Sequence, residues 1–304
     1  MAESQTRRGV SFAEALKSFH GYLRGSKKAA STVASYQSDL RLFEEFVHQR
    51  LSRKRQVLVS DLQLADLKRY SEYLRSQGFH DNTRRRRLLT VRRLFTFLKR
   101  RGRLEIDLGR RIPAPHKVEK VPKVAHAGEL IASVEALPRE SLVQERNRVL
   151  LWFLLETGCL VSEAAKTRFD QWSTQPFRVQ FTGKNERLVP ISAELYRAAK
   201  SLHRRAGSPA FLFSGFNRYG PLTASAITPR GVEMVVKGHR QVLGAVTPRM
   251  IRHSVVVQWA RNGASSEQIR QWLGLKTDYA FRAYGPLLKK VRSSSEATST
   301  GDKR

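Results

Sequence analysis

The sequence has little of several things, and each shortage narrows what the protein can be. It holds a single cysteine, Cys159, in 304 residues. One cysteine excludes a disulfide scaffold and a cysteine-rich zinc site. No run comes near the roughly 18 apolar residues of a membrane span, and no membrane partner is expected. The opening residues, MAESQTRRGVSF, lack the apolar core of a signal peptide, so a soluble intracellular protein is expected. Acid is scarce too. Twenty-six Asp and Glu face 56 Lys and Arg, a formal charge of +30 with a pI near 11.1. Such self-repulsion is ordinarily offset by a polyanion, and nucleic acid leads that class. Ribosomes, membrane surfaces and acidic proteins are weaker candidates.

What is present suits a folded protein. Hydrophobic residues make up 40% and charged residues 27%, and the length allows two domains with a sizeable core. Residues 1–120 hold 28 basic and 12 acidic residues, and the remaining 184 hold 28 and 14. No single charged tail explains the total.

Apolar spacing organises the first part. Phe12, Ala15, Leu16, Phe19 and Leu23 recur at helical intervals. Ser31 and Thr32 are expected to cap a second helix with the stripe Tyr36, Leu40, Phe43, Phe46 and Val47. A third helix is expected from Asp61 to Leu74. Asp81, Asn82 and Thr83 precede a fourth, RRRRLLTVRRLFTFLKRR, with Leu88, Val91, Leu94, Phe95 and Leu98 on its apolar side. Residues 112–124, IPAPHKVEKVPKV, contain three prolines and read as an extended linker. The second part is mixed. Residues 127–138, 145–158, 195–207, 247–263 and 266–275 look helical, and 177–192 reads as a small hairpin. The tail from Ser293 is polar and is expected to be disordered.

The fourth helix carries Arg84, Arg85, Arg86, Arg87, Arg92, Arg93, Lys99, Arg100 and Arg101 with no acid among them. The apolar stripe occupies one side, so these cations spread over the rest. Such a helix suits a major groove, with guanidiniums on phosphates and some on base edges. Counterion release makes that binding weaken steeply with salt. RNA is a weaker candidate, because no aromatic strand platform is legible.

Three short segments of the second part gain meaning together. TGKNERLVP (182–190) presents Lys184 on a hairpin. TPRMIRHS (247–254) opens a helix. Leu273-Gly274-Leu275 is followed, nine residues after Leu275, by Tyr284. Taken singly, Tyr284 reads as a packed aromatic, Lys184 as a solvated turn lysine, and Leu160 and Leu275 as core or cavity-lining residues. Their order and spacing resemble the tyrosine recombinase (phage integrase) family, especially its Xer-type members. TGCLVSE (157–163) is similar to that family's T-G-L-R-x-S-E box. STVASYQSDL (31–40) resembles its S-x-x-T-x-x-x-Y-x-x-D-L stretch, with Thr32 displaced in spacing. Thr83, Arg86 and Arg92 match T-x-x-R-x-L-S-x-L-R. The resemblance runs from about residue 10 to 290.

The resemblance implies a mainly α, two-domain DNA clamp. An N-terminal four-helix core-binding, SAM-like domain is expected over 10–111 and a linker over 112–124. A mostly helical catalytic domain with a small β-sheet is expected over 125–292, and a disordered tail over 293–304. It implies attack by a tyrosine on one DNA strand, a 3′-phosphotyrosyl link, and resolution by a 5′-hydroxyl. Bond energy is conserved, so no cofactor and no metal is expected. Double-stranded DNA is the implied partner, with self-assembly into a dimer or tetramer on DNA, or assembly with a related recombinase. A cytoplasmic, nucleoid-associated protein is expected.

The chemistry states what such a site requires. Charge builds on nonbridging oxygens, so arginines clamp them. The leaving oxygen needs a proton, which a hairpin lysine can supply. The resemblance assigns Tyr284 as nucleophile, Arg252 as a clamp arginine and Lys184 as acid. Three family positions are substituted. The first clamp arginine falls at Leu160, a histidine at Arg249, and a histidine or tryptophan at Leu275. Arg249 precedes Arg252 by three residues and is expected to replace part of the missing charge; it cannot shuttle a proton near neutrality. His253 and His239 read as structural or DNA-facing, Cys159 as a small buried hydrophobe, and the four tryptophans as packing residues. Two functions follow: a recombinase with weakened activity, and a catalytically silent DNA-binding relative acting in architecture, regulation or partnership.

Overall fold

In the computed structural model the described residues are 10–50, 57–116, 123–183, 185–217, 220–277, 281–289 and 291. Lys184, part of the proline-containing linker and the tail from Ser293 lie outside them. The chain divides between residues 119 and 120 into two compact units, each with its own apolar core. Both cores are surrounded mainly by helices.

The first unit contains α1 (Phe12–Arg24), α2 (Ala30–Arg50), α3 (Leu64–Ser76) and α4 (Asp81–Arg100). Ser11 and Glu14 form a reciprocal capping box at the start of α1, satisfying two otherwise unpaired amides. The five apolar residues read from helical spacing in α1 are all buried. Leu88, Val91, Leu94, Phe95 and Leu98 of α4 are buried too, joined by Thr90 and Phe97. Phe43 lies between Phe12, Tyr70 and Phe95, linking four helices through ring contacts.

Several expected boundaries move. Ser31 and Thr32 sit inside the first turn of α2, because the backbone already bonds Thr32 and Val33 to the Ala29 carbonyl. Asp61 closes a short 3-10 turn, and α3 begins at Leu64. His80 caps α4, which places Asp81 to Thr83 within the helix. Ile112, read as linker, is buried in the first core; an apolar side chain beside α4 gains more there than in water.

The second unit begins with α5 (Ala127–Glu135), α6 (Leu142–Thr157) and α7 (Val161–Ala164). Residues 149–155 of α6 are buried on every side, as expected for the central helix of a core. The hairpin read from sequence is present as β2 (Phe177–Phe181) and β3 (Arg187–Pro190), preceded by a short β1 (Trp172–Thr174). The sheet order is β1-β2-β3, all antiparallel, with Val179 opposite both Trp172 and Val189. Then come α8 (Ala193–Arg205), β4 (Ser214–Asn217) and β5 (Gly220–Ala226), a second antiparallel pair that alternation did not reveal. The helices α9 (Pro229–Gly238), α10 (Arg240–Leu243), α11 (Pro248–Arg261) and α12 (Ser266–Trp272) follow, and a 3-10 turn spans Arg282–Tyr284. Among the described residues no helix is long and apolar enough to cross a membrane.

Candidate functional site

The second unit holds a cavity of about 760 Å³ between α7, α9, α10, α11 and the Tyr284 turn. Leu160, Arg249, Arg252, His253, Leu275 and Tyr284 all line it. These residues are scattered over 125 positions of sequence, yet they share one concave wall. Asn185, next to Lys184, lines it as well.

Local structure explains the arrangement. Thr247 caps α11 and Pro248 occupies its first turn, a favourable start because proline lacks the amide a helix cannot satisfy there. In the same turn α11 presents Arg249 at the surface, and one turn later Arg252 in the interior. The Arg252 guanidinium donates to the Gly158 carbonyl and, at 2.7 Å, to the Leu273 carbonyl. It therefore stands anchored at the joint of two segments, the end of α6 and the end of α12. Gly158 terminates α6 with φ +55°, and a Cβ there would sit 3.3 Å from Val255. Glycine is required both for that left-handed conformation and for the approach of α11.

A second network holds the cavity's edge. Arg187 of β3 forms a two-pronged ion pair with Glu163 at 2.7 and 2.8 Å. It also donates to the Trp272 carbonyl at 2.6 Å and the Asn185 carbonyl at 3.0 Å. Glu163 in turn accepts the Leu160 amide at 2.8 Å. Arg187 thus ties α7, the hairpin and the end of α12 together. Burial would raise the Glu163 carboxyl, but the Arg187 hydrogen bonds and charge outweigh it and hold the carboxyl below its ordinary value. Gly274 has φ +67°, and a Cβ there would meet Arg187 and Asn185 at 3.1 Å. Glu163 and Arg187 fall inside the sequence motifs but gain no role from them, because nothing in the sequence pairs an acid with a base 24 positions away.

Tyr284 is buried, its ring edge-on to His253 with centroids 5.3 Å apart and 5.8 Å from Phe281. His253 is 7% exposed, and its Nδ1 is buried without a hydrogen-bond partner among the described residues. Burial first, then the charges of Arg249 and Arg252, push its imidazole down to about 4. Leu160 is exposed and Leu275 half-buried. Cys159, the residue before Leu160, is buried, and burial pushes its thiol up to about 12. Among the described residues no group of three histidine, cysteine or acidic side chains could hold a metal.

The basic helix of the first unit is less free than its sequence suggests. Arg86 donates to Ser35 and to the buried Asp39, both at 2.6 Å, and Arg87 lies 3.7 Å from the same carboxylate and over the Phe79 ring. Arg84 pairs with Asp81 at 2.6 Å. Arg85 donates to the Pro115 carbonyl at 2.7 Å, and Arg92 to that of Ile112. Arg93 lies over Tyr36, and Arg101 over Phe97. The helix run has no acid of its own beyond Asp81, so its anchors come from α2 and from the chain after α4. Thr32 and Thr83 lie half-buried in the first turns of α2 and α4.

Comparison with known proteins places this geometry in a wider group. Residues 16–102 match the phage integrase N-terminal SAM-like domain, and residues 128–289 match the phage integrase family. The chain is 27% identical to the tyrosine recombinase XerC of Chromobacterium violaceum over 270 residues, covering 86% of each protein. It is 26% identical to the tyrosine recombinase XerD of Rhizobium meliloti over 282 residues, covering 88% of each. Its fold is similar to that of a lambda integrase tetramer bound to a Holliday junction, with TM-score 0.70 at 11% identity over 91% of this chain and 78% of that one. It is also similar to the Tn1549 transposon integrase in complex with circular intermediate DNA, with TM-score 0.64 at 15% identity over 90% and 95%. With both domain descriptions matched in order across most of its length, the chain belongs to the phage integrase family of tyrosine recombinases.

Proposed function

We propose that this protein binds duplex DNA and exchanges strands at a specific site through a 3′-phosphotyrosyl link to Tyr284. The observation that carries the reading is the shared cavity where Tyr284, Arg252 and Arg249 meet. Arg252 holds the scissile phosphate, with its guanidinium oriented in advance by two backbone carbonyls; an orientation fixed during folding costs nothing further at the transition state. Arg249 adds charge from the cavity rim, and Lys184 protonates the leaving 5′-oxygen. Tyr284 attacks in line. The relatives named as recombinases, and the neighbours solved on DNA, support duplex DNA as the partner and assembly into dimers or tetramers on it.

The chemistry is weakened relative to a full arginine clamp. Leu160 offers the phosphate neither charge nor donor, and one lost transition-state donor slows a reaction by about 10²–10³. Leu160, Arg249 and Leu275 also favour a second reading, a silent DNA-binding partner of an active recombinase. The two readings separate on one experiment. A cognate site is first selected from a random duplex pool, then built into a nicked suicide substrate. Covalent protein–DNA product that disappears in Tyr284→Phe is expected for the enzyme. Tight specific binding with no covalent product supports the silent partner.

A further inference from the structure

Attack by Tyr284 raises a question of proton balance that the clamp does not answer. A phenol ordinarily loses its proton near pH 10, so at neutrality the attacking oxygen must surrender one during the reaction. Around the cavity few side chains can take it. The guanidiniums of Arg249 and Arg252 are donors with no acceptor site, and Leu160 and Leu275 carry no lone pair. Glu233 lines the cavity but is paired with Arg230 at 2.8 Å. Cys159 is a buried, protonated thiol.

His253 differs from all of these. It lines the same cavity, its ring meets the Tyr284 ring at 5.3 Å, and its Nδ1 is buried without a partner among the described residues. A buried polar atom left unpaired is costly and calls for an explanation. We propose that His253 is a catalytic residue that accepts the Tyr284 phenolic proton during strand cleavage. The proposal rests on the reading of Tyr284 as nucleophile.

The step balances with groups already present. The Tyr284 Oη–H bond breaks and its proton moves to the unprotonated ring nitrogen of His253. The Oη–P bond forms as the P–O5′ bond breaks, and O5′ takes a proton from Lys184 Nζ. The electrostatics agree. Burial, with Arg249 and Arg252 on the same helix, keeps the imidazole neutral at physiological pH, so a lone pair is available. Those cations also make it a weak base in the empty cavity. A bound phosphodiester anion offsets their charge and strengthens the base when it is needed. Position matters as well as basicity: the edge-on contact sets the two rings side by side in the cavity with no hydrogen bond between them, and the proposed step has that contact tighten to hydrogen-bond reach when DNA binds.

The test uses the full chain on the nicked suicide duplex and reads the initial rate of covalent product. His253→Phe keeps an aromatic ring against Tyr284 and removes both nitrogens. Its rate is expected to fall by about 10²-fold or more, the scale of general acid–base catalysis, with duplex affinity and unfolding midpoint near wild type. Added imidazole is expected to restore rate to His253→Ala. On a duplex with sulfur replacing the 5′-bridging oxygen, the leaving group needs no proton. That substrate is expected to recover activity in Lys184→Ala and not in His253→Phe. If wild type gives Tyr284-dependent product and His253→Phe matches its rate, the proposal is overturned while the nucleophile reading stands. If wild type binds DNA and gives no covalent product, that reading fails and takes the proposal with it. Should the Phe variant not fold, the Ala variant decides, and absence of imidazole rescue in folded, DNA-bound His253→Ala overturns the proposal.

Discussion

At the scale of single residues, the cavity's character turns on a few side chains. Leu160 is 41% exposed on the cavity wall, so a longer polar side chain fits there without opening the core. Leu160→Arg is expected to raise the rate of covalent product on the suicide duplex by about 10²-fold, the converse of losing one oriented donor. An unchanged rate would mean that another step limits cleavage. His253 makes a prediction about stability. Its imidazole is held near 4 instead of its ordinary 6.5, so the unfolded chain takes up the proton first as pH falls. Its contribution is therefore present above pH 6.5 and lost between there and 4. Each tenfold change in proton affinity is worth about 1.36 kcal/mol, which limits the loss to roughly 3 kcal/mol. Burial also lowers His20 and His203, so all three act in the same direction. Urea unfolding at pH 7 and pH 4.5 should show a smaller loss for His253→Phe than for wild type.

At the scale of elements, α4 has two kinds of arginine. Arg86 reaches across to α2, where Asp39 is 1% exposed and also accepts from Thr90 at 3.0 Å. Burial raises the Asp39 carboxyl in spite of Arg86, which is the electrostatic signature of an acid held in place by packing. Arg86→Ala leaves that acceptor short of its donor and is expected to cost about 1–3 kcal/mol of folding stability. Arg100, exposed near the end of α4, is expected to change stability by less than about 0.5 kcal/mol when replaced by alanine. Thermal unfolding of the two variants tests the difference, and equal effects would refute the structural role of Arg86. Within the second unit, the Glu163–Arg187 pair acts in the same way, joining three segments that each contribute to the cavity.

At the scale of the whole molecule, charge is the dominant quantity. Both sequence regions are strongly positive, and association with duplex DNA is expected to weaken steeply with salt. Each phosphate neutralised adds about 0.9 to the slope of log K against log salt. A titration measured by fluorescence anisotropy checks this, and a shallow slope would sink the electrostatic argument. The same charge says little about cutting. Binding uses any well-placed cation, whereas cleavage needs particular groups around one phosphorus atom.

Much of this protein was determined by local sequence. Apolar spacing marked the buried faces of α1 and α4 residue by residue, because a 3.6-residue period places such side chains on one side whatever they later meet. Motif order singled out the segments of Tyr284 and Arg252, which the fold brings to one cavity. Helix starts were less legible, since Ser31, Thr32 and Asp81 to Thr83 are good caps that the backbone passed over in favour of earlier residues. The short strands β4 and β5 carry too few alternations to stand out. Only tertiary structure decided which charges are paired internally. Arg86 and Asp39 are 47 positions apart, Arg187 and Glu163 are 24 apart, and His253 meets Tyr284 across 31. Contacts at such separations depend on how elements pack, and no local period records them. The +30 charge could be read from composition; which arginines remain to meet a phosphate, and which hold the fold together, could not.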